Sequence, residues 1–241
     1  DGKLRNLQVE DSDPTCPLVG IVSAFKKLQH DQKLMDSDIR VLQRLVDEFT
    51  TVSTHPAIVG EDVAEIALAV NKHHHTRTCL KKDPNSCRFH YPKPPAPFPI
   101  ISKPLSLEMP LEERRKIHKA NKQVISAVMD LVDNENFIKD LMEESPKTAE
   151  TTRAEAIQGR ENRIKKVCAA AKVSFQEYID ALSISKMGNK VVQARDVDEV
   201  YINSYNEEWM RAWNGNLDIQ IALDPFAVVT YITEYYSKDD S

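Results

Sequence analysis

Seven prolines fall between residues 92 and 110, at positions 92, 94, 95, 97, 99, 104 and 110. Proline lacks an amide proton and fixes φ, so a run this dense resists both helix and the centre of a sheet. The segment is expected to be an extended connection dividing the chain. Before it, Ile39, Leu42, Leu45, Val46 and Phe49 recur at three and four, the spacing of an amphipathic helix capped by Asp36 or Ser37. Residues 62–70 continue an apolar helical pattern into a histidine cluster. After it come helices over residues 111–133, 136–142 and 162–171, with the polar stretch 148–160 expected to pack loosely. A fourth helix follows Ser174, which with Glu177 forms a capping-box pattern.

From residue 186 the pattern shortens. Residues 190–194, 199–203 and 217–223 read as short strands, the last with Ile219 and Ile221 inward and Asp218 and Gln220 outward. Residues 206–213 read as a short helix, and Trp209 and Trp213 on it as core, with stacking on an unpaired base the other option. A final helix is expected over residues 226–238, opened by Asp224 and Pro225. The division is therefore a helical segment 1–91 carrying the His/Cys cluster, the connection 92–110, a helical segment 111–185 and a strand-and-helix segment 186–241.

No run of 18 apolar residues exists, so no membrane span or membrane partner is expected. The first residues, Asp1-Gly2-Lys3-Leu4, resemble neither an initiator start nor a signal peptide and read as a cut inside a longer protein. Without a secretory signal, the four cysteines are not expected to form a disulfide framework. Cys16 and Cys168 read as ordinary thiols, Cys168 as a small apolar helix residue. The net charge of −5 argues against a general nucleic-acid binder, but charge is unevenly spread. Residues 72–95 hold six basic residues against Asp83 alone, whereas residues 196–241 hold ten acids against Arg211 and Lys238.

His73, His75, Cys79 and Cys87 lie within fifteen residues. Two thiols and two imidazoles make a tetrahedral Zn²⁺ set, with His74 and His90 as reserve ligands. With four protein ligands the zinc would be structural. The residues alone leave open a basic, His-rich surface loop. Lys81, Lys82 and Arg88 beside the set are candidate phosphate contacts or simply solvated cations.

Several motifs in order then resemble the Rep region of Helitron rolling-circle transposons, in which an HUH-type nuclease is joined to a helicase. They are His73-x-His75-Thr76-Arg77-Thr78-Cys79 through Cys87-Arg88-Phe89-x-x-Pro92-x-Pro94, then Val173-x-x-x-x-Tyr178-x-x-Ala181-Leu182. Arg195-Asp196, Tyr201-Ile202-Asn203-x-Tyr205-Asn206 and Ala212-Trp213-x-x-Asn216-x-Asp218-Ile219-Gln220 follow, closing with Asp224-Pro225-x-Ala227 and Tyr231-x-x-x-Tyr235-x-x-Lys238. The resemblance covers roughly residues 40–241.

The resemblance implies an α+β fold, mainly helical, whose few short C-terminal strands complete an HUH-type sheet beside a zinc-bound loop. It implies that Tyr231 and Tyr235 are nucleophiles that attack a DNA phosphodiester, leaving a 5′-phosphotyrosine and a free 3′-OH, with Lys238 assisting. Four apart on a helix, both phenols leave one face, while Tyr236 points elsewhere. A phenol of pKa about 10 is a weak nucleophile, so Mg²⁺ or Mn²⁺ in the parent protein is implied. The family's metal-binding histidines flank an apolar residue on a strand, which His73-His74-His75 does not reproduce, and no phosphate-loop motif of a helicase is present. The chain thus reads as a fragment of a nuclear DNA endonuclease and strand transferase, inactive in nicking alone. Its implied partners are single-stranded DNA and the remaining HUH and helicase parts of its parent. The competing readings are a non-catalytic zinc-dependent DNA-binding or scaffold module, and a helical interaction domain.

Overall fold

A computed structural model describes residues 35–223 apart from 82, 83 and 85, together with Gly20, Ser23, Ala24, Lys26, Lys27, Val229, Ile232 and Thr233. About 52% of the chain is helical against one three-stranded sheet, which makes the fold α+β and mainly helical, as expected.

Helix α1, Asp36–Phe49, buries Leu42 and Val46 on the expected stripe. Its start is secured by Asp38, not by Asp36 or Ser37. The Asp38 carboxylate accepts the Met35 N–H at 2.8 Å and pairs with Lys27 at 2.7 Å. Helices α2, Pro56–Val59, and α3, Glu61–Val70, meet at Gly60, whose φ of +85° suits glycine. A Cβ there would also lie 2.8 Å from the Asp62 carboxylate.

The proline-rich stretch departs from expectation, because it supplies the central strand. Strand β1, Ile100–Pro104, lies between β2, Ile184–Ser185, and β3, Lys190–Val192. It runs parallel to β2, with Lys103 opposite Ile184, and antiparallel to β3, with Ile101 opposite Val191. The physical reason is local. Residues 100–103 are free of proline and keep their amide protons, and Pro104 takes the terminal position, where a ladder bond is least needed.

Helices α4, Leu111–Val132, α5, Glu135–Glu144, α6, Arg153–Ala170, and α7, Phe175–Leu182, enclose the larger core. Val128, Val132, Leu141, Ile164, Val167, Cys168, Tyr178 and Leu182 meet Ala96 and Ile100 there. The Tyr178 hydroxyl, buried with its ring, donates to the Pro95 carbonyl at 2.8 Å and so binds the proline segment to this core. The Ser174–Glu177 capping box is present as expected, with bonds of 3.1 and 2.9 Å. Residues 148–160 are not loose. Thr152 and Glu155 form a second capping box, and α6 begins at Arg153 with Ala156 and Arg160 buried. The polarity of that stretch misleads because the Arg160 guanidinium is satisfied internally, donating to the Pro97 carbonyl at 3.0 Å.

A second core joins α3 to helix α8, Glu207–Trp213, through Val52, Val63, Ala67, Ile202, Tyr205 and Met210. Met210 takes the inward face of α8, so Trp209 and Trp213 are turned outward, 64% and 70% exposed, contrary to the core assignment. Residues 217–223 keep the expected alternation of exposure but form no strand. Ile219 donates to the Ser204 carbonyl at 2.8 Å, and no continuous ladder follows. Residues 199–203 are likewise turns rather than a strand, with one bridge between Ile202 and Lys72. They turn because the Glu199 carboxylate is drawn inward to accept the Thr54 N–H at 2.6 Å.

Candidate metal centre

The metal loop hangs from a short platform formed by residues 195–203. Asn71, fully buried, ends α3. Its side-chain amide donates to the Asn203 carbonyl at 2.8 Å, and its side-chain oxygen accepts the Leu217 N–H at 2.7 Å. The chain therefore leaves the helix alongside residues 201–203, and His73 donates its N–H to the Tyr201 carbonyl at 2.7 Å. At the other end, Lys93 donates to the Val200 carbonyl at 2.8 Å, and Ala96 and Arg195 exchange backbone bonds of 2.9 and 2.8 Å. Both ends of the loop are thus fixed to one segment.

Within the loop, the Cys79 N–H bonds the Thr76 carbonyl at 3.1 Å while the Thr76 N–H points at the Cys79 sulfur at 3.2 Å. Arg88 donates to the Cys79 carbonyl at 2.9 Å, which brings Cys87 across to Cys79. The outcome is that His73, His75, Cys79 and Cys87 present ligand atoms all within 4.8 Å of one another. Cys87 Sγ lies 3.4 Å from His73 Nε2, and Cys79 Sγ 3.6 Å from His75 Nδ1. Bonds of about 2.05 Å to nitrogen and 2.3 Å to sulfur at tetrahedral angles require N···S edges of about 3.5 Å. Two of the six edges meet that requirement, and the cluster could hold a metal ion. Both sulfurs are buried. Burial, with the neighbouring His75, His74 and Lys93, holds the His73 ring below the ordinary imidazole pKa, favouring the neutral form that ligates. His74 and His90, the reserve ligands, are exposed and outside the cluster.

Aromatic rings orient the ligands. His73 stacks on Tyr91 with centroids 4.3 Å apart and meets the edge of Phe89 at 5.8 Å. His75 meets Tyr201 edge-on at 5.8 Å. The Tyr91 hydroxyl donates to Asn203 Oδ1 at 2.5 Å, and burial pushes its pKa up to about 12. It serves as a fixed hydrogen-bond donor that ties the ring under His73 to the platform.

Beneath the platform lies a charged cluster. Arg163 binds Asp196 through Nη2 at 2.5 Å and Nε at 3.1 Å, and binds the Ser145 carbonyl and hydroxyl at 3.1 and 3.0 Å. Lys147 pairs with Asp198 at 2.7 Å and Glu199 at 2.8 Å. Arg195 donates to the carbonyls of Glu199 and Ile202. These bonds fix the backbone that receives His73 and Lys93. Sequence reasoning did not find Lys147, Arg163 or Glu199, because the oppositely charged partners of Lys147 and Arg163 are 33–52 residues away and lie on no shared periodic face.

Of the remaining site residues named from sequence, Lys81 and Arg88 are exposed on the metal loop. Lys82, Tyr231, Tyr235 and Lys238 lie outside the described residues, as does the start of the final helix. Asp218 and Gln220 are exposed, as expected. No helix among the described residues is long and apolar enough to cross a membrane. No known protein family, curated protein or solved structure matches the chain.

Proposed function

We propose that this chain is the zinc-stabilised portion of a Helitron-type Rep protein that engages single-stranded DNA during nicking and strand transfer. One observation carries the reading. Motif residues from three of the segments that resemble the family, His73, Tyr201 with Asn203, and Asn216, meet at one platform. His73 and Lys93 hang from residues 200–201, Asn203 Nδ2 donates to Asn216 Oδ1 at 2.9 Å, and Leu217 bonds Asn71. A motif set that builds one scaffold has a physical reason to recur together.

Zn²⁺ is the metal that suits two thiolates and two imidazoles in a tetrahedron, and with four protein ligands it closes the loop rather than activating water. The basic loop, including Lys81, Lys82 and Arg88, would neutralise phosphates. In the parent protein the phenol oxygen of Tyr231 or Tyr235 would attack phosphorus and the 3′-oxygen would leave, with Lys238 offsetting phosphate charge and Mg²⁺ or Mn²⁺ held by other residues of that parent. The location would be nuclear.

Two measurements test this reading. Elemental analysis should give about one zinc per chain, lost in the Cys79→Ser, Cys87→Ser double variant. A metal-free wild type that is fully folded would remove the zinc assignment. In the intact parent, Tyr231→Phe with Tyr235→Phe should abolish the covalent protein–DNA adduct, and Tyr236→Phe should leave it. An adduct that survives the double substitution would refute the tyrosine assignment and favour a non-catalytic scaffold. Exposed Trp209 and Phe49, lining an apolar groove with Leu45, Ile219 and Ile221, favour that second reading.

A further inference from the structure

We infer that Phe89, with Arg88 beside it, is a stacking platform for an unpaired base of single-stranded DNA. The inference rests on the reading of this chain as a single-stranded-DNA module and adds the residue pair that would grip a base. Cys87 is 6% exposed and faces the metal cluster, whereas Phe89, two residues on, is 46% exposed. A phenylalanine this close to a buried ligand would bury itself if the loop were free to turn. The backbone does not allow it. Arg88 donates to the Cys79 carbonyl at 2.9 Å and His90 to the Cys87 carbonyl at 2.8 Å, so Phe89 sits at the apex of a turn bonded on both sides.

The ring is also oriented. Its contact with His73 is edge-on, at 74° and 5.8 Å, and His73 is itself held flat on Tyr91. The Arg88 guanidinium carbon lies 4.5 Å from the ring centroid, over its face. Guanidinium and phenyl planes are both surfaces on which nucleobases stack, and the cation brings charge for the adjoining phosphate.

Charge separates Phe89 from the other exposed aromatics. Trp209 and Trp213 belong to a helix that opens with Glu207 and Glu208, in a region of ten acids against two bases, and this would repel a phosphate chain. Phe89 belongs to the stretch of six basic residues against one acid, in which Lys72, Arg77, Lys81 and Arg88 are exposed. An aromatic ring among cations is the arrangement by which a protein holds single strands without reading their sequence. In a duplex the base faces are already stacked on one another, so the platform selects unpaired strands.

The test uses the full zinc-loaded chain and a fluorescein-labelled thymidine oligonucleotide, read by fluorescence anisotropy across salt concentrations. Compared at equal metal content, Phe89→Ala should weaken binding about 5- to 150-fold while leaving the salt slope unchanged. Phe89→Trp should bind at least as well as wild type. Arg88→Gln should weaken binding and flatten the salt slope by about 0.7, the value for one phosphate contact on a single strand. Against an oligonucleotide of abasic sites, wild type and Phe89→Ala should bind equally. If wild type binds the thymidine oligonucleotide and Phe89→Ala binds it equally well, the platform is refuted while the proposed function stands. If Phe89→Ala weakens duplex and single strand alike, the contact is not to a base and the inference is wrong. If wild type binds no single-stranded DNA, both readings fall together.

Discussion

Arg163→Met should be among the most damaging single substitutions in this chain, and the structure sets its size. The guanidinium makes the 2.5 Å and 3.1 Å bonds to Asp196 and two more to Ser145, and its side chain is 3% exposed. Methionine matches the aliphatic stem but leaves the Asp196 carboxylate in place. That group is 2% exposed and would keep only Lys147 at 3.7 Å and the Val197 N–H at 2.8 Å. Breaking a buried ion pair from one side costs about 3–5 kcal/mol, because an uncompensated charge remains inside. For a chain of this size that corresponds to a fall in Tm of about 6–20 °C. Urea unfolding followed by circular dichroism reads the loss directly. Adding Asp196→Leu to Arg163→Met should restore part of it, giving a coupling energy above about 1 kcal/mol. A chelator competition should also show weaker metal retention in Arg163→Met, since residues 195–203 carry the loop. A loss below about 1 kcal/mol would refute the reasoning, as it would mean Asp196 reaches water or a proton without cost.

Three other outcomes follow from the same packing. Desolvation of its carboxylate beside the buried Lys147, opposed by the Lys147 charge but reinforced by Asp196 and Glu199, pushes the partly exposed Asp198 carboxyl up to about 6. The folded state then holds this proton more tightly than the unfolded chain, so ionising Asp198 costs stability as pH rises from about 4 to 6. Asp198→Asn should therefore gain on wild type in urea midpoint across that window, and a gap independent of pH would contradict it. Burial also raises the Cys168 thiol to about 11, so iodoacetamide should spare Cys168 in the folded protein while Cys79 and Cys87 become alkylated once a chelator is added. Equal labelling of Cys168 and Cys79 by peptide mapping would count against this. Finally, both tryptophans of the chain are exposed, so acrylamide should quench nearly all of the tryptophan fluorescence, and a protected fraction would show that α8 is covered in solution.

The helices were legible because their signals are local. A stripe at three and four marks a helix, and a serine with glutamate three residues on fixes its start, without reference to the rest of the chain. The misses share a cause as well. The density of the proline run argues against a strand, although one strand needs only the few consecutive amides of residues 100–103. The polarity of the stretch 148–160 points to a loose loop, although Thr152 spends its hydroxyl on a helix cap and Arg160 its guanidinium on the buried Pro97 carbonyl. The size of Trp209 and Trp213 suggests core, although Met210 takes the buried position on that short helix.

The ligand set was legible for the same local reason, since four soft donors within fifteen residues can meet through turns alone. What holds them in place was not. The loop between His73 and Tyr91 gains its geometry from residues 195–203, more than a hundred positions later, and those residues gain theirs from Arg163 and Lys147. Each link is a hydrogen bond between partners with no common periodicity, so sequence patterning has no purchase on it. The order of these links has a physical consequence. With the Arg163–Asp196 pair intact, the platform receives His73 and Lys93 through backbone bonds that involve no metal, and the four ligand atoms lie within 4.8 Å of one another. The entropy of ordering the loop is then largely met by folding rather than by the metal, so the ion binds a prepared site and its removal should loosen the loop before it unfolds the cores.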